Sequence, residues 1–400
     1  MSLVNSEAVT RFAELAFIRK EELSQLIQVL RDQGYCVVGP RVDQGAIVYA
    51  EVETAEDLPR GWSDQQQPGQ YRITSNNTDS YFAYNLGPHS WKQFLFPSQH
   101  TLATTDRCEA GWQMTVPEEV TPKYAFLGVR ACELKAIAIQ DRVFTEGPFV
   151  DPVYLERRAA ALLIAVQCTQ AASTCFCTSM NTGPQSTSGF DLALTEIEDG
   201  FEVEVGSEAG LAILGKLAYQ SATERHSQRA MALRQRAVAQ IERHMDTAGL
   251  RDLLMNNLEH PRWDRVAERC LSCTNCTMVC PTCFCSTVNE VTDLQGDHVE
   301  RQRVWDSCFN PDFSYIAGGP VRNNTRSRYR QWLTHKLASW HDQFDSSGCV
   351  GCGRCIAWCP VGIDLTEEVA RIRSEPNDQR TLPVLQPAAV MTCRVPRSNS

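Results

Sequence analysis

Apolar and polar positions near the start of the chain follow several different spacings, and each spacing predicts a type of secondary structure. Over residues 18–32 the apolar residues recur every three or four positions, which predicts an amphipathic helix. Residues 36–39 and 46–52 are apolar runs on either side of a turn, which predicts a β-hairpin. Residues 57–69 are rich in proline, glycine and glutamine and predict a loop.

Two fully apolar runs further along the chain predict buried strands. They are Tyr124–Val129 and residues 161–167, and the segment between them has helical spacing over residues 133–144. A strand, a helix and a second strand in this order predict a βαβ unit, and therefore a parallel sheet with a right-handed crossover. Residues 190–196 and 201–205 predict a later hairpin.

The composition is that of an ordinary globular protein. Of the 400 residues, 43% are hydrophobic and 22% are charged. The longest apolar run, residues 159–166, is too short to span a membrane, and the first thirty residues lack the layout of a secretory signal. A net charge of −10 argues against a nucleic-acid partner. We therefore expect a cytoplasmic chain with reduced thiols.

The cysteines are concentrated in two short stretches. Ten of the 18 fall within residues 270–285 and 349–359, and clustered thiols in a reduced chain indicate metal binding. The two runs are Cys270-x2-Cys273-x2-Cys276-x3-Cys280-Pro281 and Cys349-x2-Cys352-x2-Cys355-x3-Cys359-Pro360. Both match the bacterial run that binds [4Fe–4S] clusters. The alternative is a pair of zinc sites, although zinc cysteines usually occur as two separated pairs.

In such paired runs the fourth cysteine binds the cluster of the other run. The predicted ligand sets are Cys270, Cys273, Cys276 and Cys359 for one cluster, and Cys349, Cys352, Cys355 and Cys280 for the second. Gly351 and Gly353 would allow the backbone to approach closely and direct its N–H groups at sulfur. Arg269 and Arg354, next to ligands in the chain, are candidates to offset the negative charge of the clusters.

The region between the two runs is long for a compact ferredoxin. It separates Cys280 from Cys349 by 68 residues and contains an amphipathic helix with an aromatic stripe, which is typical of α-helical ferredoxin domains. The pattern is helical from residue 208 to about residue 255, Pro261 breaks it, and we place a domain boundary near residues 250–262. The fold class is therefore α+β. An N-terminal α/β domain with a partly parallel sheet covers residues 1–255, an α-helical ferredoxin domain covers 256–375, and a tail covers 376–400.

Four further cysteines form a third candidate set. Cys132 and Cys168 each follow one of the predicted buried strands, so both thiols should lie at the carboxyl edge of the parallel sheet. Cys175 and Cys177 return to the same area after a short loop. Four thiols are enough for a third [4Fe–4S] cluster. A zinc site, inert buried thiols and redox-active thiols are the alternatives.

We expect none of the remaining cysteines to be a permanent ligand. Cys283, Cys285 and Cys308 are interpreted as small buried residues close to the first run. The others are Cys36, Cys108 and Cys393.

Four segments carry a specific resemblance. They are GVRACEL at 128–134, TCFCTSM at 174–180, CPTCFC at 280–285 and WDSCF at 305–309. From about residue 120 to residue 372 the chain resembles the iron–sulfur beta subunit of soluble NAD(P)-linked [NiFe] hydrogenases, also called sulfhydrogenases. The A subunit of anaerobic sulfite reductase belongs to the same family. The family pattern has cysteines at the positions of the third set, so the resemblance implies that these four cysteines bind a third cluster.

The resemblance also implies a role as an electron-transfer subunit. Such a subunit relays single electrons between a flavin subunit that handles NAD(P)H and a catalytic subunit with a [NiFe] centre or a siroheme. The sequence has no dinucleotide fingerprint or Walker loop, and we assign no catalytic residue and no other cofactor site. The chain should not be catalytic alone. The alternatives are the A subunit of an anaerobic sulfite reductase, or a sulfur- or disulfide-reducing subunit whose third cluster binds substrate.

Overall fold

The computed structural model describes residues 15–85, 87–118 and 120–375. The predicted tail at 376–400, with Cys393, lies outside the described residues. The strands in chain order are β1 (Ala16–Arg19), β2 (Cys36–Asp43), β3 (Ala46–Glu51), β4 (Trp62–Gln67), β5 (Gln70–Ser75), β6 (Gln99–Cys108), β7 (Gly111–Thr115), β8 (Tyr124–Val129), β9 (Leu162–Val166), β10 (Leu192–Ile197), β11 (Gly200–Val205), β12 (Tyr219–Ser221), β13 (Ser286–Thr292), β14 (His298–Trp305), β15 (Tyr315–Ile316) and β16 (Gly319–Pro320).

The helices alternate with the strands in the N-terminal part and dominate after β12. In chain order they are α1 (Glu22–Asp32), α2 (Lys92–Leu95), α3 (Ala131–Thr145), α4 (Pro152–Ala160), α5 (Glu208–Leu214), α6 (Glu224–Ala239), α7 (Leu250–Met255), α8 (Arg262–Ala267), α9 (Asn275–Met278), α10 (Thr325–Thr334), α11 (Trp340–Phe344), α12 (Arg354–Ala357) and α13 (Leu365–Ser374). A 3-10 turn lies at Ala55–Asp57, and a π-helical turn, His335–Ser339, joins α10 to α11.

The N-terminal part is built on an eight-stranded mixed sheet with the order β12-β1-β11-β10-β9-β8-β2-β3. Strands β8 and β9 are parallel, with Ala125 opposite Leu162, and α3 and α4 connect them. Strands β2 and β10 extend the parallel part on either side. The predicted βαβ unit and the predicted hairpins at β2–β3 and β10–β11 are confirmed. The apolar runs are continuous because helices cover both faces of these central strands.

Each face of the sheet has its own apolar core. On one face Leu23, Leu26 and Leu30 of α1 pack against the sheet. On the other face α3 and α4 enclose Trp91, whose ring stacks on Phe126 with the centroids 4.7 Å apart. Burial of aliphatic and aromatic side chains on both faces stabilises the sheet. This holds in place the sheet edge from which Cys132 and Cys168 emerge.

A second sheet joins the two parts of the chain. Its order is β13-β14-β6-β7, so two strands from the region between the cysteine runs pair with two N-terminal strands. Strand β14 runs antiparallel to β6, with Val299 opposite Thr105. The sequence did not predict β13 and β14, because both strands are polar and lack a clear alternation; β13 is largely exposed and β14 is half-buried along most of its length.

Three local predictions were wrong. Residues 57–69 are not a loop, because β4 pairs with β5 and the hairpin packs on the second cysteine run. There Gly69 N–H donates to the Ile356 carbonyl at 3.0 Å. The first helix begins at Glu22 rather than at residue 18, since Ile18 pairs with Phe201 in the sheet. The helical region from residue 208 onward is interrupted by β12. In the second and third cases pairing with a distant strand overrode the local pattern, whereas β4 pairs with the strand that follows it in the chain.

Candidate iron–sulfur site

The first cysteine run and the last cysteine of the second run surround one cavity. Its lining includes Cys270, Cys273, Cys276 and Cys359, and it contains about 430 Å³ not filled by protein atoms. The backbone N–H of Ser272 donates to the Cys270 sulfur at 3.5 Å, and the N–H of Ile363 donates to the Cys359 sulfur at 3.2 Å. The structure thus brings together the four cysteines of the first predicted set. Backbone N–H groups directed at sulfur are typical of cluster-binding loops.

The second predicted set gathers around Cys280. Burial raises the pKa of Cys349 to about 12, and the neighbouring Cys280 sulfur contributes to the rise. Burial also raises the pKa values of Cys352 and Cys355, with Cys280 again among the causes. Cys280 therefore lies close to all three thiols of the other run. Because buried thiols resist ionisation, a metal that binds them must displace their protons.

The third predicted set lines a separate cavity. Cys132, Cys168, Cys175 and Cys177 all border this space of about 390 Å³. Cys132 lies at the start of α3 just after β8, and Cys168 follows β9, as the sheet prediction required. Arg130 also lines the cavity, and its guanidinium donates to the Phe82 and Tyr84 carbonyls, each at 2.9 Å. Burial raises the pKa of Cys168, while Arg130 opposes the rise.

The three sets adjoin one another through the second run. Cys355 also lines the cavity of the first set, and Cys352 also lines the cavity of the third set. The contact with the third set is close: a Cβ on Gly351 would lie 2.7 Å from the backbone of Cys177. Gly351 has a φ of +64°, and its carbonyl accepts from the Phe176 N–H at 2.9 Å. Only glycine permits this approach, as the sequence predicted in general terms.

Several buried donors beside these cavities lack acceptors. Tyr329 and Trp332 line the first cavity, and neither the Tyr329 hydroxyl nor the Trp332 indole N–H has a hydrogen-bond partner among the described residues. Arg354, which lies between ligands of the second set, has an unpartnered Nη1. Buried donors normally have partners, so these groups fit an occupant with acceptor atoms, such as the sulfides of a cluster. Within the described residues no three His, Cys, Asp or Glu side chains are placed to hold a single metal ion.

Comparison with known proteins agrees with this arrangement. The family described as "4Fe-4S dicluster domain" matches residues 269–363. Sulfhydrogenase 2 subunit beta of Pyrococcus furiosus is 32% identical over 254 residues, which cover 63% of this chain and 74% of that protein. The chain belongs to the sulfhydrogenase beta-subunit family. No solved structure matched the chain. In the part of the chain that the structure describes, no helix has the length and apolar character needed to cross a membrane.

The cations beside the cysteines of this iron–sulfur subunit are not available in the way that the sequence predicted. Arg354 donates to the buried carboxylate of Glu133, and Arg269 donates to Glu368 at 2.7 Å, so both candidate cations already have a carboxylate partner. Lys336 is the cation that contacts a predicted ligand. It is only 3% exposed, and its ammonium group donates to the Cys280 sulfur at 3.2 Å.

Lys336 is held in the cationic form by its surroundings. Its other acceptors are the Thr282 hydroxyl at 3.2 Å and the Gly348 carbonyl at 2.9 Å. Burial lowers the pKa of Lys336, but the sulfurs of Cys280 and its neighbours raise it well above the ordinary value. A sequence signal was available: Lys336 lies four residues after Trp332 and four before Trp340, on the aromatic stripe where a lysine is unusual.

Replacing Lys336 with methionine should lower the midpoint potential of the cluster that Cys280 binds. The reduced cluster carries more negative charge and so gains more from a nearby cation than the oxidised cluster. We expect a shift of roughly 60–130 mV, the one-electron equivalent of the about 1.5–3 kcal/mol contributed by a hydrogen bond to a charged group. An anaerobic titration followed by electron paramagnetic resonance measures it. Lys336→Arg, which keeps the charge, should shift the midpoint potential less. Equal potentials in the wild type and both variants would contradict the prediction.

Proposed function

We propose that the chain relays single electrons inside a multi-subunit hydrogenase, between a flavin subunit that handles NAD(P)H and a [NiFe] catalytic subunit. A [4Fe–4S] cluster, when bound, takes up and releases one electron at a time. In this proposal the three cysteine sets are the ligands of three clusters. The membership of the chain in the sulfhydrogenase beta-subunit family supports the hydrogenase assignment.

The observation that carries the proposal is the continuity of the three cysteine sets. Cys355 belongs to the second set and lines the first cavity, while Cys352 belongs to the second set and lines the third cavity. Adjoining sites within one polypeptide are what a relay needs, because an electron must pass between centres without entering water. In the proposed relay the second set therefore lies between the first and the third sets.

The protein around the sites excludes water and leaves one side accessible. Phe309, Tyr329 and Trp332 are almost completely buried and pack beside the first set. Cys273 of the same set is exposed, and the adjacent Leu271 is 63% exposed. The first set therefore lies nearest to a surface where an electron partner can approach. Burial elsewhere keeps the local dielectric low, which tunes the cluster potentials.

Purification of the native complex, followed by metal and cofactor analysis, tests the proposal. We expect nickel and flavin to co-purify with the chain, whereas siroheme without nickel would favour the sulfite-reductase alternative. The isolated chain should be reducible by viologen and should show no turnover with elemental sulfur or sulfite. Sustained turnover by the isolated chain would contradict the relay and support a catalytic third cluster.

A further inference from the structure

Three cysteines outside the predicted sets meet at a further cavity. Cys283 and Cys285 follow the first cysteine run, and Cys308 follows β14, yet all three line one small space. Lone buried cysteines often fill space, but three that come from two separate segments and line one cavity form a candidate ligand set.

The aromatic wall of this cavity contains donors without acceptors. Trp332 and Trp340 both line it and are 4% and 1% exposed. Neither indole N–H has a hydrogen-bond partner among the described residues. A buried N–H without an acceptor costs about 1–3 kcal/mol. Trp332 also lines the first cavity, whereas Trp340 lines only this one of the thiol-lined cavities, so its indole N–H indicates an occupant here that carries acceptor atoms.

Two buried lysines supply positive charge at the same place. Lys336 lines the cavity, and the Lys92 ammonium group donates to the Cys283 carbonyl at 3.0 Å. Both side chains are 3% exposed, and neither forms an ion pair with a carboxylate in the described part of the chain. Since buried charges need counter-charges, the anionic partners at this place are thiolates rather than carboxylates.

His335 adds a nitrogen to the lining. It begins the π-helical turn His335–Ser339, a type of turn that is frequent at functional sites. Its Nε2 lies 2.9 Å from the Gln343 side-chain oxygen, which can only accept, so Nε2 carries the proton. The lone pair therefore resides on Nδ1. A ring N–H held by a second residue is the usual arrangement of a histidine that binds metal.

We propose that Cys283, Cys285 and Cys308 bind a further iron–sulfur cluster, with His335 as its fourth, non-thiolate ligand. This site is additional to the three cysteine sets and does not depend on their occupancy. A single zinc ion fits less well, because no three His, Cys, Asp or Glu side chains of the described residues are placed to hold one ion and zinc brings no sulfide to accept from Trp340. Three thiolates and an imidazole give the bound cluster less negative charge than four thiolates would.

Iron and acid-labile sulfide counts on the anaerobically purified full chain provide the first test. Cys308→Ser and Cys285→Ser should each lose about four irons and four sulfides relative to the wild type. Cys108→Ser is the matched control, because Cys108 is exposed and lines none of the three cavities. Unchanged iron in the Cys308 and Cys285 variants would overturn the proposal, and so would zinc in place of iron. Loss of iron in Cys175→Ser reports on the third set, so the two proposals can fail separately.

Pulsed electron paramagnetic resonance of the reduced wild-type chain gives a second test that needs no cysteine variant. We expect a strongly coupled nitrogen that disappears in His335→Ala and in His335→Cys. His335→Cys would give the site four thiolate ligands and should therefore retain the wild-type iron content. Absence of a nitrogen coupling that depends on His335 would overturn the proposed ligation.

Discussion

Cys175→Ser protein, purified without oxygen, is expected to contain about four fewer irons and four fewer acid-labile sulfides per chain than the wild type. Cys175 lines the third cavity together with three other thiols, and burial raises its pKa to about 12. A serine hydroxyl is a far weaker ligand for iron than a thiolate, so the cluster should not survive the exchange. Chemical determination of iron and sulfide on protein of known concentration measures the loss.

Cys36→Ser is the control for this experiment. Cys36 is a half-buried cysteine in β2 that lines none of the three thiol-lined cavities described above. Its replacement should leave the iron content unchanged. If Cys175→Ser also keeps the full iron content, the third set does not ligate a cluster, and inert or redox-active thiols become the better interpretation.

Glu133→Gln is expected to destabilise the protein by about 3–5 kcal/mol, the usual cost of breaking a buried ion pair. The Glu133 carboxylate lies 2.5 Å from the Arg354 guanidinium, and each side chain is only 1% exposed. Tyr49 and Trp91 also donate to this carboxylate, at 2.7 Å and 3.0 Å. An amide can still accept these two hydrogen bonds, but it cannot balance the arginine charge. The result should be an unpaired buried cation between the sheet and α12.

Anaerobic urea unfolding, followed by circular dichroism, measures this effect as a lower midpoint. The double variant Glu133→Gln with Arg354→Met should recover part of the loss, because both charges are then removed. Glu367→Gln is the surface control: Glu367 pairs with Arg371 at 3.8 Å and both are about half exposed, so the change should stay below about 1 kcal/mol. A midpoint for Glu133→Gln equal to that of Glu367→Gln would contradict the prediction.

Local patterns were sufficient to predict much of this molecule. The spacing of each cysteine run reflects the geometry of a cubane, and the exchange of Cys280 and Cys359 follows from having two runs. The structure places Cys359 in the cavity of the first run, in agreement with the predicted set. The third set was predictable because β8 and β9 are apolar throughout, and parallel neighbours end at the same edge of a sheet.

The features that sequence reasoning missed depend on distant contacts. Strands β4, β13 and β14 are too polar to show an alternating pattern, and each is stabilised by pairing with another strand. Lys336 contacts Cys280 across 56 positions, and no local pattern encodes that contact. The grouping of Cys308 with Cys285 likewise depends on β14 returning the chain to the first run, so the sequence alone left both as isolated thiols.

The close contact of Gly351 with the Cys177 backbone also has a consequence for the order of steps in cofactor insertion. The ribosome synthesises the four cysteines of the third set well over a hundred residues before Gly351. These thiols therefore emerge before the loop around Gly351, which later contacts the Cys177 backbone, has been made. Once the second run has docked, its loop lies directly against the backbone of Phe176 and Cys177. For the third cluster of the proposed function, we therefore expect iron and sulfide to be inserted before the second run docks, so that completion of the C-terminal part is the closing step of cofactor insertion.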